Sequence, residues 1–241
     1  MPERDLAAIL GLTHPLSAVT HALGAVVVLL ALPGLLARAR AGDPRRVPWV
    51  GAYGGCLAGM FSASALYHGL PRAHALCATF WHLDHAAIWL VLATTFTALR
   101  VCAAEGHTRA PSIRLVWVVG VTGATLELSV LERLPDWVSP TLYIGMGWLG
   151  LPTLLAVARR HGWREGEPLL IGGLFGTLGG LMDALSAPNP WPGFVEAHEL
   201  LHLCTLAAAT PFLRAIWRHA PLPAPPEAPD AADEVEVEVP A

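Results

Sequence analysis

Two histidines four residues apart, in Ala197-His198-Glu199-Leu200-Leu201-His202-Leu203, sit inside a run that otherwise reads as buried helix. On an α-helix this spacing puts both imidazoles on one face, about one turn apart, where they can share a single metal ion. A third imidazole at the same depth completes the donor set of a catalytic zinc site, which leaves its fourth position to water. Zinc lowers the pKa of that water towards neutrality and polarises a substrate carbonyl. His68 is the expected third ligand. It closes the stretch Ser64-Ala65-Leu66-Tyr67-His68, in which Ser64 shares its helical face. Asp84, in His82-Leu83-Asp84-His85, is the candidate to orient or deprotonate the water. Ser64 is the candidate to hydrogen-bond the same water or a developing oxyanion.

The elements that must position these groups are membrane helices. The chain is 54% hydrophobic and only 14% charged over 241 residues, with a mean hydropathy of +0.50, whereas soluble domains carry about 25% charged residues. Its apolar residues form long runs of near the ~20 residues that a bilayer core of roughly 30 Å demands. The expectation is an all-α, polytopic membrane protein, a bundle of seven transmembrane helices. The spans are placed at Ser17–Ala37, Pro48–His68, Trp81–Val101, Ile113–Leu131, Trp137–Ala158, Pro168–Ala187 and Phe194–Trp217. Residues 1–16 form a short N-terminal segment with no cleavable signal, and 17–217 form one membrane domain. Residues 218–241 form a Pro-rich tail, expected to be disordered, whose last 15 residues hold six acids and no base. Cys56, Cys77, Cys102 and Cys204 are too scattered for a disulfide framework or a thiolate zinc site.

All 15 basic residues are arginine, and their distribution sets the orientation. Arg38, Arg40, Arg45, Arg46, Arg100, Arg109, Arg114, Arg159, Arg160, Arg164, Arg214 and Arg218 fall on one side, against Arg4, Arg72 and Arg133 on the other. The odd connections and the C-terminus are therefore expected in the cytoplasm, with the chain in the inner cell membrane. Short connections make neighbouring helices antiparallel. The end of the second span, the start of the third, the end of the sixth and the start of the seventh then share one depth. Those segments carry Ser64 and His68, Asp84, Asp183, and the pair His198 and His202. Ionisable groups cost about 2.5–3.5 kcal/mol each at a span centre. Independent polar residues would scatter in depth, so their coincidence points to one site.

Each residue also has a plainer reading. A His pair at this spacing can bond across helices without a metal, and Ser64 alone reads as a serine bonding back to its own helix. His82 and His85 read as interfacial, and His21 as a packing residue outside the site. Asp183 faces either the site or another partner, while Glu127 in the fourth span has no evident role. His14, His74, His107, His161 and His219 lie in connections or at helix ends, outside the chemistry.

Thr20-His21-Ala22-Leu23-Gly24, Ser64-Ala65-Leu66-Tyr67-His68, Leu83-Asp84-His85, the run Tyr143 to Trp148 and His198-Glu199-Leu200-Leu201-His202 carry a resemblance. From about His14 to Trp217 the sequence resembles the haemolysin III family, the bacterial branch of the progestin and adipoQ (adiponectin) receptor family. The resemblance implies seven helices and a zinc ion held by His68, His198 and His202, with Asp84 and Ser64 beside it. It also implies hydrolysis of a lipid amide, since the superfamily includes alkaline ceramidases, and a link to membrane-lipid homeostasis. Two departures stand out. The sixth span aligns Gly176 and Asp183 where the family commonly shows aromatic residues. The receptor branch also keeps its site near the cytoplasm, whereas the arginines here place it towards the outer face.

Three functions compete. The first is a zinc-dependent lipid amidase acting on a ceramide-like or other N-acyl lipid. The second is a membrane metalloprotease, because His198-Glu199-Leu200-Leu201-His202 matches HExxH with Glu199 as base. The third is a membrane-perturbing or sensing protein with structural zinc. A membrane lipid is the expected partner, nucleic acid is not, and the sequence sets no oligomeric state.

Overall fold

A computed structural model describes residues 12–104, 111–130 and 133–223. Arg4, His107, Arg109, the end of the fourth expected span at 131, the first eleven residues and the acidic tail from 224 lie outside the described residues. The described chain is helical: α1 (Pro15–Gly42), a 3-10 turn (Pro44–Arg46), α2 (Val47–Gly69), α3 (Cys77–Ala103), α4 (Pro111–Glu127), α5 (Val138–Trp148), α6 (Leu151–His161), α7 (Trp163–Leu185) and α8 (Ala197–His219). Trp191 and Val195 form an isolated antiparallel bridge just before α8.

These helices make a polytopic membrane bundle. Five spans are long and apolar enough to cross a bilayer: α1, α3, α5 with α6, α7 and α8. α2, softened by glycine, serine and histidine, and α4, at 17 residues, complete it. α3 is the axis. In its apolar window 72% of residues are buried, against 28% or less in the other four such spans. α2, α4 and α8 pack around α3, α1 packs on α2, and α7 packs on α8. Large apolar side chains on the outer faces, such as Leu23, Leu30, Val118 and Leu178, are exposed, as lipid-facing residues must be.

The fifth span departs from its expected continuity. It is two helices joined at Leu149 and Gly150. Pro152 stands in the first turn of α6, where its missing N–H costs nothing but the preceding helix cannot run on through it. Gly150 meets the ring of Phe96 on α3 so closely that a side chain there would overlap it. The first span extends further than expected, to Gly42, and carries Arg38 and Arg40 on its last turns. α4 ends at Glu127 and continues only as turns.

At the arginine-rich end, the buried guanidinium of Arg46 donates to the carbonyls of His219 (3.3 Å), Ala220 (2.9 Å) and Leu222 (2.6 Å). Arg38 donates to the carbonyl of Trp217 at 2.9 Å and lies over its indole. The last carbonyls of a helix lack partners within it, and these two cations satisfy two of those of α8, at Trp217 and His219, and hold the residues that follow. Residues that read in the sequence only as topology signals thus also fasten the last helix to the first two.

Candidate metal centre

α8 begins with a reciprocal cap. Glu196 accepts from the backbone of Glu199, and Glu199 Oε2 accepts from the Glu196 N–H at 3.1 Å. That cap fixes the first turn, and His198 and His202 follow on the face turned towards α2. His68 meets them from the last turn of α2. His68 Nε2 lies 3.3 Å from His198 Nε2, and His202 Nε2 lies 3.2 Å from the same atom. The three residues offer ligand atoms that all lie within 4.8 Å of one another, and among the described residues this is the group of His, Cys, Asp and Glu able to hold a metal ion. An ion with metal–nitrogen bonds of about 2.0–2.1 Å in tetrahedral geometry spaces its ligands roughly 3.3 Å apart. Two of the ring-to-ring spacings fall on that value. The donor set therefore fits a divalent ion that favours imidazole.

The surroundings support the same arrangement. Asp183, near the end of α7, accepts from His198 Nδ1 at 2.8 Å. A carboxylate there places the ring proton on Nδ1 and leaves the Nε2 lone pair facing the other two rings. Asp84 Oδ2 is 3.9 Å from His68 Nε2, close enough to act on a group held at the centre. The Ser64 hydroxyl is buried one turn before His68 on α2 and lines the same cavity as Asp84. All five residues singled out in the sequence, His68, His198, His202, Asp84 and Ser64, are thus brought to one place.

The remaining polar residues take up positions around this cluster. His21, set aside as a packing residue, stacks on the His202 ring with centroids 3.9 Å apart and planes 25° off parallel. It is 4% exposed and neither ring nitrogen has a hydrogen-bond partner. It fixes the plane of the His202 ring by packing. Nothing in its spacing signals this, because the contact spans 181 residues. His14 lies at the rim, edge-on to His68 at 5.6 Å, with Nδ1 3.6 Å from Glu199 Oε1. His82 and His85 pack on Trp81. Glu199 is turned from the metal face, bonded to the Glu196 backbone and to Ser17 Oγ at 3.1 Å. As its offset of about 100° from His198 implies, it serves the helix cap.

The histidines open on a cavity of about 570 Å³. Its wall runs from Arg72 and Asp136 at the rim, past the histidines, to Leu57, Val91, Phe96 and Phe212 further in. The cavity thus has a polar mouth above an apolar chamber.

A family model described as haemolysin-III related matches residues 12–213. The chain belongs to that family. Within haemolysin III proteins, the chain is similar to "Hemolysin-3" of Bacillus cereus, 26% identical over 199 residues that cover 80% of this chain and 85% of that one. The family and the five long apolar spans together make this a multi-pass membrane protein.

Proposed function

We propose that this haemolysin III protein is a zinc-dependent hydrolase of a lipid amide, a ceramide-like or other N-acyl lipid. It would act in the inner cell membrane and contribute to membrane-lipid homeostasis. The observation that carries the reading is the spacing of the three Nε2 atoms beside Asp84, at the polar end of an apolar cavity. Three imidazoles with a carboxylate nearby are the donor set of hydrolytic zinc sites. Zinc held by His68, His198 and His202 supplies Lewis acidity towards an acyl carbonyl and a water of lowered pKa.

The chain's own groups do the rest. Asp84 takes the proton of the attacking water and hands it to the departing amine. Ser64, whose hydroxyl lacks a partner, donates to the carbonyl oxygen as charge develops on it. The apolar chamber takes the acyl chain and keeps bulk water from the amide. Glu199, occupied in the α8 cap, is not available as a base, which weighs against a protease. The arginine distribution supports a cytoplasmic C-terminus and a site towards the outer face.

Purified in mild detergent without added metal, the protein is expected to carry about one zinc per chain and to release fatty acid from short-chain ceramide or another N-acyl lipid. A protein that holds no zinc, and gains none when supplied with it, would end this reading.

Asp183 should matter to metal affinity. Asp183→Ala removes the acceptor that sets the His198 tautomer, and zinc binding should weaken about 10- to 100-fold. Asp183→Asn, which still accepts at Oδ1, should fall between the two. Competition with a chromogenic chelator measures both, and an unweakened Ala variant would show that the 2.8 Å contact does no positioning.

A further inference from the structure

Glu127 is 1% exposed, in the last turn of a membrane helix, and the chemistry above does not use it. Its Oε2 accepts from Trp89 Nε1 at 3.1 Å, and its Oε1 from Ser139 Oγ at 3.1 Å. Among the described residues no cation pairs with it. A carboxylate offers about four acceptor positions, so two neutral donors leave it under-satisfied where an unpaired charge is costly.

The surrounding packing is arranged to hold this group. Gly123, one turn earlier on α4, has the Trp89 indole lying against it so closely that any side chain would collide. That contact holds Trp89 with its N–H on Glu127. Tyr143 packs edge-on to Trp89 at 5.1 Å and donates to the His85 carbonyl at 3.2 Å. Glu127, Ser139 and Tyr143 all line the cavity that also holds the three histidines. Trp89 is five residues beyond Asp84 on α3, about 7.5 Å further along the helix axis.

The cavity wall as a whole favours a positive group. Asp84, Glu127, Asp136, Asp183, Glu196 and Glu199 line it against a single arginine. That arginine, Arg72, lies over Tyr67 at 4.7 Å and beside His14, at the rim. Even a divalent ion at the histidines leaves the lining negative. A buried carboxylate open to the cavity is a partner from which an ammonium group gains a charge-assisted hydrogen bond.

We propose that Glu127, with Trp89, Ser139 and Tyr143, forms a second subsite in this cavity that takes the ammonium group of a long-chain amine-bearing lipid. The proposal rests on the cavity being the lipid site described above, and is independent of whether an amide is hydrolysed there. The subsite would give the cavity selectivity for lipids with a free or permanent positive charge over neutral ones of the same length.

The test is a binding measurement on the full-length protein in non-ionic detergent. Dodecylamine and dodecanol are compared at equal mole fraction in the micelle. The wild type should bind the amine on the order of tenfold more tightly than the alcohol. In Glu127→Gln, whose amide oxygen can still accept from Trp89 while its NH2 donates to Ser139 Oγ, that preference should fall to near parity. In Asp136→Asn, which removes an exposed acid at the cavity rim outside both the metal centre and the subsite, it should persist. Equal binding of the two probes by the wild type would overturn the proposal without need of a variant. So would a preference unchanged in Glu127→Gln, which would leave Glu127 a structural acid. Loss of the preference in Asp136→Asn would move the positive group to the rim and overturn the assignment equally.

Discussion

Replacing His198 with alanine leaves a protein that no longer retains zinc. Its Nε2 is the atom shared by both short spacings, to His68 and to His202, so its removal takes away the middle of the set. Changing a supporting residue already weakens such sites about 10- to 100-fold, and loss of a ligand should exceed that range. Elemental analysis after dialysis against a weak chelator gives the comparison with wild type. His68→Ala and His202→Ala should behave alike, whereas His85→Ala should retain the metal, since that ring packs on Trp81. Undiminished zinc in any of the three ligand variants would mean that the ion, if held, is held elsewhere.

Turnover should respond to two acids in opposite ways. Asp84→Asn leaves a group of the same shape 3.9 Å from His68 but unable to take a proton, and amide hydrolysis should drop about 100- to 10,000-fold. Glu199→Gln should hydrolyse lipid amide near the wild-type rate, since glutamine can still close the reciprocal cap with Glu196. Release of fatty acid from a short-chain ceramide reads both. The reverse pattern, with Glu199→Gln inactive and Asp84→Asn active, would restore the protease reading. Full activity in both would remove any acid–base role from either residue.

The site was legible in the sequence chiefly because a membrane imposes a depth on every residue. Antiparallel spans with short connections carry Ser64, His68, Asp84, Asp183, His198 and His202 to one level, and that coincidence needs no tertiary knowledge. What lay beyond reach depends on how helices rotate and lean against each other. His21 shows no periodic relation to His202, yet the two rings stack. From the sequence Asp183 faces either the site or another partner, and only the packing of α7 on α8 pairs it with His198. Glu127 was an orphan acid until α3 and α5 delivered Trp89 and Ser139 to it. The break in the fifth span did have a local signal, Gly150-Leu151-Pro152, which the long apolar run around it masked. The double duty of Arg38 and Arg46 had none, because a charge that sets topology and one that caps a distant helix look alike in the chain.

The separation of His68 from His198 by 130 positions bears on the order of biogenesis. A ribosome delivers the first imidazole early, with the second span, and the other two only with the final one. Until that helix leaves the translocon, the nascent protein has a single histidine of the three to offer. Any ion these three hold would therefore be acquired late, after the last helix is in place. A truncated product that lacks the last helix would be inserted in the membrane yet permanently without it.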